Sequence, residues 1–513
     1  MEPATLIRPA RINRRLSQTA SFLHPLAAIP DLSVTGVTLD SRRVVPGDLY
    51  AALPGQQFHG ASFVEQAVQM GASAILTDPA GAGIVERALA PLLIVEDPRA
   101  VLGQISAWVY GYPARAMSVI GITGTDGKTT TATLLEAGLR GAGHKTGLIG
   151  TVVTRIDDLE LPAIRTTPEA PDLHALLAVM RERGVTAVAM EVSSHALALG
   201  RVDAVEFEVS VFTNLGHDHL DFHHDLSSYF DAKASLFTAE RSRHALICID
   251  DAWGIRLRDL TQIPAATYSV SEPGTRAWQR ADWQAGELQP HGVGWRFQLR
   301  GPHVELSMQT ALPGVFNVRN AVAATAAAAA IGCDVPAVAA AIGQTRGVPG
   351  RMEPIEEGQQ YVVLVDYAHT PDAVERALGV GRELAVRNGG QLLTLLGCGG
   401  DRDRGKRPLM GESAARLADV VVVTDDNPRS EDPARIRREI LAGVAQVPED
   451  LRAQVIELPG REEALRALVQ MARPADVAMA LGKGHEQGQE IDGVIYPLDD
   501  RAVLRAAISG RST

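Results

Sequence analysis

The sequence predicts an α/β protein of three domains, and three observations lead to this prediction. The chain has 513 residues, whereas one domain usually holds roughly 100–200. Short apolar runs typical of strands alternate with helical stretches along most of the chain, which favours parallel sheets flanked by helices. Glycines and polar residues come directly after several of these strands, where open α/β sheets bind their ligands.

The first domain is expected over residues 1–115. Its pattern predicts a strand at Leu49–Leu53, a helix at Phe63–Met70 and another strand at Ala74–Leu76. Pro113 lies in a turn-like stretch just before the next apolar run, which places the boundary there.

The central domain is expected over residues 116–347. Strands at Ser118–Thr123, Val185–Met190 and Val209–Thr213 alternate with helices, which predicts a parallel, doubly wound sheet. Between about residues 290 and 310 apolar and polar residues alternate, which predicts a small accessory β-hairpin sheet before a helix at Asn320–Ile331.

The C-terminal domain is expected over residues 348–513 as a second, Rossmann-like α/β sheet. The predicted strands are Tyr361–Val365, Gln391–Leu396, Val420–Thr424 and Val477–Leu481. The predicted helices are Asp372–Arg387, Pro408–Ala418 and Ala434–Ala445.

Composition and charge argue against several classes of function. The net charge of −12 disfavours a general binder of nucleic acid or membrane surfaces. No apolar run reaches the roughly 20 residues that span a bilayer. Cys248, Cys333 and Cys398 are widely separated, so neither a disulfide framework nor a zinc site is indicated. We expect a monomeric cytoplasmic protein with no nucleic-acid partner and no membrane insertion.

A glycine-rich loop follows the first strand of the central domain. Residues 123–130 read TGTDGKTT, in which glycines let backbone N–H groups surround phosphate oxygens. Lys128 adds a positive charge, and the Thr129 hydroxyl can ligate Mg²⁺. Ile122 stands where the common phosphate loop has its first glycine, so this is a P-loop-type variant. The loop predicts ATP binding; an ordinary glycine turn is the weaker alternative.

Other polar residues of the central domain admit two interpretations each. Glu191 ends a strand beside the phosphate loop and suits Mg²⁺, but a solvated loop acid fits the sequence equally well. The segment Thr213–Asp221 is rich in His and Asp, and a polar surface turn is its alternative. Lys233, on a helix predicted at Tyr229–Phe237, indicates by itself only a solvated surface lysine.

Three polar loops follow strands of the C-terminal domain: Gly397–Pro408 with its cluster of cations, Asp426–Arg429 and Gly482–Glu486. The guanidinium of Arg429 offers a planar fork suited to a carboxylate. One such loop is a weak signal, but several at one sheet edge favour a binding site.

Together these motifs resemble the Mur ligase family, the ATP-dependent amide-forming enzymes of peptidoglycan precursor synthesis. The resemblance covers almost the whole chain and keeps the order of the family's motifs. The matching segments are Leu39–Arg42, Thr166–Pro168, Glu191–His195, Thr213–Asp221, Phe316–Asn320, Gly350–Arg351, Asp366–Pro371, Gly399–Met410, Asp426–Arg429 and Gly482–Glu486.

The resemblance implies an ATP-dependent ligase that adds diaminopimelate to the D-glutamate of UDP-N-acetylmuramoyl-L-alanyl-D-glutamate. The implied route is an acyl phosphate, with release of ADP and phosphate. Its three domains would bind the UDP-linked substrate, ATP and the incoming amino acid in that order. The Asn-Pro-Arg sequence ending at Arg429 favours diaminopimelate over lysine, because lysine lacks the second carboxylate that the arginine could pair with. The stereoisomer stays open.

Two other functions agree less well with these motifs. A folylpolyglutamate-type ligase would share the fold and the ATP loop, but would explain neither the Asn-Pro-Arg sequence nor the Leu39–Arg42 match. A nucleotide-regulated binding module without turnover would not need Glu191, His219 and Lys233 together.

The resemblance also implies roles for individual residues. The ATP site would comprise Gly124, Thr125, Asp126, Gly127, Lys128, Thr129, Thr130, Asn317, Asn320, Arg351 and Asp366. The Mg²⁺ ligands would be Thr129, Glu191, His219 and Lys233, the last as a carbamate formed with CO₂. The catalytic residues would be Lys128, Glu191, His219 and Lys233.

The UDP-linked substrate would contact Leu39, Ser41, Gln56, Gln57, Thr166, Thr167, Ser193 and Arg201. The diamino acid would contact Arg402, Asp426, Asn427, Pro428, Arg429, Gly482 and Glu486. Asp126, Arg165 and Leu199 depart from residues common in the family, which leaves the contacts to the UDP-linked substrate less defined.

Overall fold

The chain divides into two units, as seen in a computed structural model that describes residues 8–55, 57–85, 90–216, 218–271 and 274–511. The first unit comprises Met1–Leu288, Phe297–Met308 and Val318–Ile342, and the second comprises Gln289–Arg296, Gln309–Asn317 and Gly343–Thr513. The domain boundaries after residues 115 and 347 stay predictions. Gln56 lies outside the described residues.

The N-terminal part of the first unit is built on a parallel sheet. Its four strands, in order across the sheet, are Gly36–Thr38, Asp48–Ala51, Ala74–Thr77 and Leu92–Ile94. The α-helices are Val64–Gln69, Pro79–Ile84 and Pro98–Val109, and a short antiparallel pair joins Arg14–Arg15 to Ser33–Val34. Short 3₁₀ helices occupy Leu16–Ser21, Ser41–Arg43, Gly60–Phe63 and Pro113–Ala116.

The rest of the first unit surrounds a larger sheet whose centre is parallel. The strands, in order, are Leu159–Pro162, Val153–Ile156, Thr146–Ile149, Ala187–Glu191, Ser118–Thr123, Phe207–Phe212, Ser242–Cys248 and Ala265–Ser269. The central strand Ser118–Thr123 pairs in parallel with both neighbours, so Thr123 and Glu191 reach the same edge. Buried apolar residues on the central strands are typical of a sheet covered by helices on both faces.

Further helices and strands lie wholly or partly in this region. The helices are Lys128–Gly141, Ala170–Glu182, Ser194–Ala198, Leu220–His223, Leu226–Ala234, Ala252–Leu260, Arg276–Arg280, Val315–Ala330 and Val335–Gln344. The strands Trp283–His291, Gly294–Gly301 and Val304–Thr310 occupy the stretch where an accessory β-hairpin was predicted. The helix predicted at Tyr229–Phe237 begins earlier, at Leu226, because the Asp225 side chain accepts a hydrogen bond from Ser228 N and caps it.

The second unit contains the predicted second α/β sheet. Its strands, in order, are Glu353–Pro354, Val362–Asp366, Val477–Leu481, Leu392–Leu396, Val420–Val423 and Gln454–Glu457, and all but the first pair in parallel. Its helices are Pro371–Asn388, Lys406–Leu417, Pro433–Val444, Arg461–Met471 and Asp500–Arg511. The predicted α/β fold class is therefore confirmed.

Several elements of this unit are not among those predicted from the sequence, and the C-terminal helix Asp500–Arg511 is one of them. The edge strand Gln454–Glu457 carries a weak pattern, whereas the helix Arg461–Met471 has buried apolar residues at helical spacing, from Ala464 to Val469, and was overlooked. An antiparallel hairpin of Gly488–Ile491 and Val494–Pro497 follows the last parallel strand. Within the described part of the chain, every helix is too short or too polar to cross a membrane.

A buried ion pair joins the helix Arg461–Met471 to the C-terminal helix. The side chains of Arg461 and Asp500 are both 0% exposed, and two N–H groups of Arg461 bond the Asp500 carboxylate at 2.8 and 2.5 Å. The same guanidinium donates to Leu481 O at 2.9 Å and Asp425 O at 3.2 Å, which lie at the edge of the sheet. The pair therefore fixes two helices to the sheet edge that carries the polar loops.

Replacing Asp500 with alanine should destabilise the second unit by about 3–5 kcal/mol, because it leaves a buried guanidinium without its counter-charge. The free energy of unfolding in urea measures this effect. Glu462→Ala is the control, since it breaks the exposed Arg466–Glu462 pair of 2.7 Å on the same helix and should cost less than about 1 kcal/mol. Equal losses in the two variants would contradict the prediction.

Candidate functional site

The glycine loop joins the carboxyl end of Ser118–Thr123 to the start of the helix Lys128–Gly141. Gly127 has a φ of +83°, and a Cβ there would lie 2.5 Å from Asn320 Oδ1. Only glycine fits both the backbone conformation and the space. The first turn of the helix therefore opens toward the loop with its N–H groups, which makes it an anion-binding position.

Contacts to neighbouring segments hold this loop in shape. Asp126 N donates to Asn214 Oδ1 at 3.0 Å, and Thr213 Oγ1 donates to Asp126 O at 2.6 Å. Lys128 Nζ donates to Gly124 O at 2.8 Å and to Thr125 O at 2.9 Å. The ammonium thus lies over the loop, where the phosphates of a nucleotide would meet it.

Glu191 lies beside the loop, as the sequence predicted. Its side chain is buried, and Oε2 accepts hydrogen bonds from Thr129 Oγ1 at 2.9 Å and Thr151 Oγ1 at 3.0 Å. Thr151 N donates to Oε1 at 2.7 Å. A carboxylate with two hydroxyls beside it offers the hard oxygen ligands that Mg²⁺ prefers. Thr151 is not among the site residues predicted from the sequence, although it follows the strand Thr146–Ile149 at the same sheet edge.

His219 lies among aromatic side chains. Its ring centroid is 4.7 Å from that of His195 and 6.2 Å from that of Tyr229. Burial lowers the pKa of His219, while Asp218 opposes the shift, so the ring is held in the neutral form that binds metals. The residues that the structure describes contain no cluster of three or more His, Cys, Asp or Glu able to hold a metal. The Mg²⁺ ligand set therefore stays a prediction.

Lys233 is buried, which the sequence pattern alone did not indicate. Its side chain is 1% exposed, and Nζ donates to Gly124 O at 2.8 Å. Nζ also lies 4.4 Å from the centre of the Tyr229 ring. Burial, and then the charge of Lys128, hold the pKa of Lys233 well below its usual value. The uncharged amine is therefore favoured beside the phosphate loop.

A cleft of about 710 Å³ lies between the N-terminal sheet and the central sheet of the first unit. It is lined by Leu39 and Ser41 from the first part and by Arg165 and Glu169 from the second. Two of the residues predicted to bind the UDP-linked substrate thus line a cavity within the usual range of ligand pockets, roughly 300–1,000 Å³. Gln57 is exposed and is not among the residues that line it.

The remaining residues predicted for that substrate lie near Glu191 or Glu169. Thr166 Oγ1 is 3.0 Å from Thr151 Oγ1, and Thr167 Oγ1 donates to Glu191 O at 2.9 Å. Ser193 N donates to Thr167 Oγ1 at 3.1 Å. Arg201 forms an ion pair of 2.9 Å with Glu169 at the cleft.

The residues predicted around the adenosine are held by local contacts. Thr131 Oγ1 donates to Asn320 Oδ1 at 3.2 Å in the first unit. In the second unit, Asn317 Nδ2 donates to Pro313 O at 2.8 Å. Asp366 accepts hydrogen bonds from two backbone N–H groups, and the Arg351 guanidinium lies 4.9 Å from the Tyr367 ring centre.

The predicted amino-acid loops meet at the carboxyl edge of the second sheet. Asn427 Nδ2 donates to Glu486 Oε2 at 2.9 Å. Gly482 has a φ of +110°, and a Cβ there would lie 2.9 Å from Asp426 Oδ2. This glycine lets the two loops approach closely. Lys483, which the sequence did not single out, is buried between them.

Arg429 lies at this edge with part of its guanidinium already bonded. Nε pairs with Glu490 Oε2 at 3.1 Å, and Nη1 donates to Gly400 O at 2.7 Å. Within the described ranges, Nη2 has no protein acceptor. Among the described residues, Nη2 and the second N–H of Nη1 are therefore left to donate to a substrate carboxylate. Nearby Arg402 is exposed and Pro428 is buried.

Sequence profiles of one family match most of the chain. The Mur ligase middle domain matches residues 122–328, and the Mur ligase glutamate ligase domain matches residues 350–484. The profile described as Mur ligase family, catalytic domain, matches residues 33–110.

A curated relative from Streptomyces avermitilis is 50% identical over 503 residues, covering 98% of both chains. It is named UDP-N-acetylmuramoyl-L-alanyl-D-glutamate--2,6-diaminopimelate ligase. A solved structure of a ligase of that name is 31% identical, with a TM-score of 0.69, and covers 98% of this chain and 100% of its own. The folylpolyglutamate synthase of Mycobacterium tuberculosis is 18% identical with a TM-score of 0.58, covering 74% of this chain and 91% of its own, which shows a shared fold alone.

Proposed function

This chain belongs to the Mur ligase family, and from that premise we propose that it joins diaminopimelate to UDP-N-acetylmuramoyl-L-alanyl-D-glutamate at the expense of ATP. It is an ATP-dependent ligase that forms an amide bond in peptidoglycan precursor synthesis. The full-length match to the Streptomyces avermitilis ligase carries this conclusion. The phosphate loop beside Glu191 supplies the site that such a reaction needs.

The chemistry proceeds in two steps. The γ-phosphoryl group passes from ATP to the D-glutamate carboxylate, which gives an acyl phosphate and ADP. An amino group of diaminopimelate, once it has lost a proton, attacks the acyl carbon and expels phosphate, so that an amide remains. Lys128 and the helix N-terminus offset the negative charge of the transferred group. The rest of the rate enhancement comes from holding the reacting groups in the right geometry.

Glu191, Thr129 and His219 would hold Mg²⁺. The donor set fits this ion, because two of the three ligands are oxygens and the Glu191 carboxylate already lies 2.9 Å from the Thr129 hydroxyl. Bound there, Mg²⁺ neutralises phosphate charge. Thr151 orients the Glu191 carboxylate through its N–H and its hydroxyl.

Lys233 would carry a carbamate. Its uncharged amine attacks CO₂ and releases one proton, so a neutral amine becomes an anion at the phosphate loop. The support is the burial of the amine, its low pKa and its 2.8 Å contact with Gly124 O. The anion would then complete the set of metal ligands.

The UDP-linked substrate and the diamino acid would occupy two separate places. The cleft at Leu39 and Ser41 would hold the UDP-linked substrate, with Thr166, Thr167 and Ser193 near its reacting end. The loops with Asp426 and Glu486 would hold the diamino acid. We place the enzyme in the cytoplasm, where ATP and nucleotide-linked precursors are found, and we expect a monomer.

Phosphate release tests the function directly. Purified protein with ATP, Mg²⁺, UDP-N-acetylmuramoyl-L-alanyl-D-glutamate and diaminopimelate should release phosphate only when both acceptor substrates are present. Mass spectrometry should show the UDP-linked tripeptide. Release that needs only one substrate, or a folate substrate, would overturn the proposal.

Arg429→Ala should lower kcat/KM for diaminopimelate by about a hundredfold or more, because two hydrogen bonds to a charged group are each worth roughly 1.5–3 kcal/mol. Activity with lysine, already poor, should change much less, since lysine has no distal carboxylate. The measurement is kcat/KM for both amino acids in both proteins.

Arg438→Ala is the matched control, because Arg438 is an exposed arginine whose nearest carboxylate, that of Asp432, is 3.8 Å away. It should leave both values unchanged. If Arg429→Ala lowered kcat/KM equally for both amino acids, Arg429 would serve the fold or bind the end that the two amino acids share.

A further inference from the structure

Lys483 lies at the centre of the loops proposed to bind the diamino acid. Its side chain is 0% exposed. Nζ donates to Asn427 Oδ1 at 3.0 Å, to Glu486 Oε2 at 3.1 Å and to Gly488 O at 2.6 Å. An ammonium group has three N–H donors, so these contacts use all of them. Lys483 therefore has no donor left for a substrate and can act only through the residues it holds.

Those three acceptors belong to three different segments. Asn427 follows the strand Val420–Val423, Glu486 follows the strand Val477–Leu481, and Gly488 begins the hairpin. One buried cation thus joins two strand-end loops to the hairpin.

The Asn427 amide has one orientation because of this lysine. Its Oδ1 accepts from Lys483 Nζ and from Glu490 N at 3.1 Å, while its Nδ2 donates to Glu486 Oε2. Reversing the amide would place its NH₂ group against an ammonium and a backbone N–H, which are both donors. The second Nδ2 hydrogen is thereby held ready for an acceptor such as a carboxylate.

The Glu486 carboxylate is oriented in the same way. Oε2 accepts from both Lys483 Nζ and Asn427 Nδ2. Oε1 accepts no hydrogen bond from the residues that the structure describes, and the side chain is one-third exposed. Two donors thus hold Oε2 in place, and Oε1 can accept a hydrogen bond from the ammonium of a substrate.

We infer that Lys483 is the positioning residue that sets the Asn427 amide and the Glu486 carboxylate for the ammonium and carboxylate of the incoming amino acid. The inference rests on the proposed function, since that function places the diamino acid at these loops. If Lys483 were purely structural, replacing it would instead change the KM values for all three substrates together.

Lys483→Met, which keeps the length and removes the donors, tests this role. The KM for diaminopimelate should rise at least about tenfold, since the pocket loses charge-assisted hydrogen bonds. The KM values for ATP and for the UDP-linked dipeptide should stay within about twofold, because their proposed residues do not contact Lys483. Lys483→Gln serves in its place if the methionine variant does not fold.

A double-mutant cycle with Glu486→Gln gives the second readout. If Lys483 acts through Glu486, the double variant should raise the KM for diaminopimelate by clearly less than the product of the two single effects. The double variant also leaves no charge of this pair unpaired, so it should regain thermal stability relative to Lys483→Met.

Lys145→Met is the control for the substitution, because the Lys145 ammonium pairs with Asp157 at 3.0 Å in the other unit. It should leave all three KM values unchanged. If the wild type fails to ligate diaminopimelate, the proposed function falls. If the wild type is active but Lys483→Met keeps its KM for diaminopimelate, changes all three KM values alike, or gives multiplicative effects with Glu486→Gln, the positioning role is wrong.

Discussion

Lys128→Ala should abolish ligation, with kcat reduced by at least about a hundredfold. Removing one preorganised group that stabilises transition-state charge typically costs about 10²–10³ in kcat. Lys128 Nζ lies over the glycine loop, 2.8 Å from Gly124 O and 2.9 Å from Thr125 O, where the transferred phosphoryl group would be bound. Steady-state phosphate release with saturating substrates measures the loss.

Two controls separate charge from structure in this experiment. Lys145→Ala removes an exposed lysine with the same change of side chain and should retain wild-type activity. Lys128→Met keeps the length of the side chain and should be as inactive as Lys128→Ala, with a melting temperature close to that of the wild type. If either Lys128 variant kept more than a few per cent of wild-type activity, the loop would not have the proposed role in phosphoryl transfer.

Lys233→Ala should be nearly inactive, and a small carboxylic acid should restore part of the activity. Alanine removes the proposed carbamate and leaves space beside Gly124 that a short carboxylate can enter. The expectation follows from the buried amine, whose low pKa favours the uncharged form that reacts with CO₂. The measurement is phosphate release with and without added acid, in the variant and in the wild type.

Carbon-13 NMR of the wild type equilibrated with ¹³CO₂ should show a carbamate signal that Lys233→Ala lacks. This readout does not depend on activity. Lys145→Ala should keep the signal, since it leaves Lys233 in place. An unmodified Lys233 amine in the ATP-bound, CO₂-equilibrated protein would contradict the proposal.

Much of the fold could be predicted because its central strands carry strong local patterns. The strand Val477–Leu481 has the predicted bounds, and the glycine loop follows Ser118–Thr123 as expected. The helix predicted at Tyr229–Phe237 lies at Leu226–Ala234 instead, because its start depends on a cap by Asp225 rather than on apolar spacing. The edge strand Gln454–Glu457 is only partly buried and has no clear apolar alternation, so its pattern was too weak to recognise.

The sequence by itself determined the α/β class, the phosphate loop at Lys128 and the family, because these depend on local order and on motifs read along the chain. Only the tertiary structure decided which side chains are buried and what they contact. Lys233, a surface lysine by its local pattern, is enclosed beside Gly124, and Thr151 reaches Glu191. Lys483 became visible only when two loops and a hairpin met around its ammonium. Burial and hydrogen bonding between segments far apart in the chain leave no local pattern, because they arise when the sheets bring strand ends together.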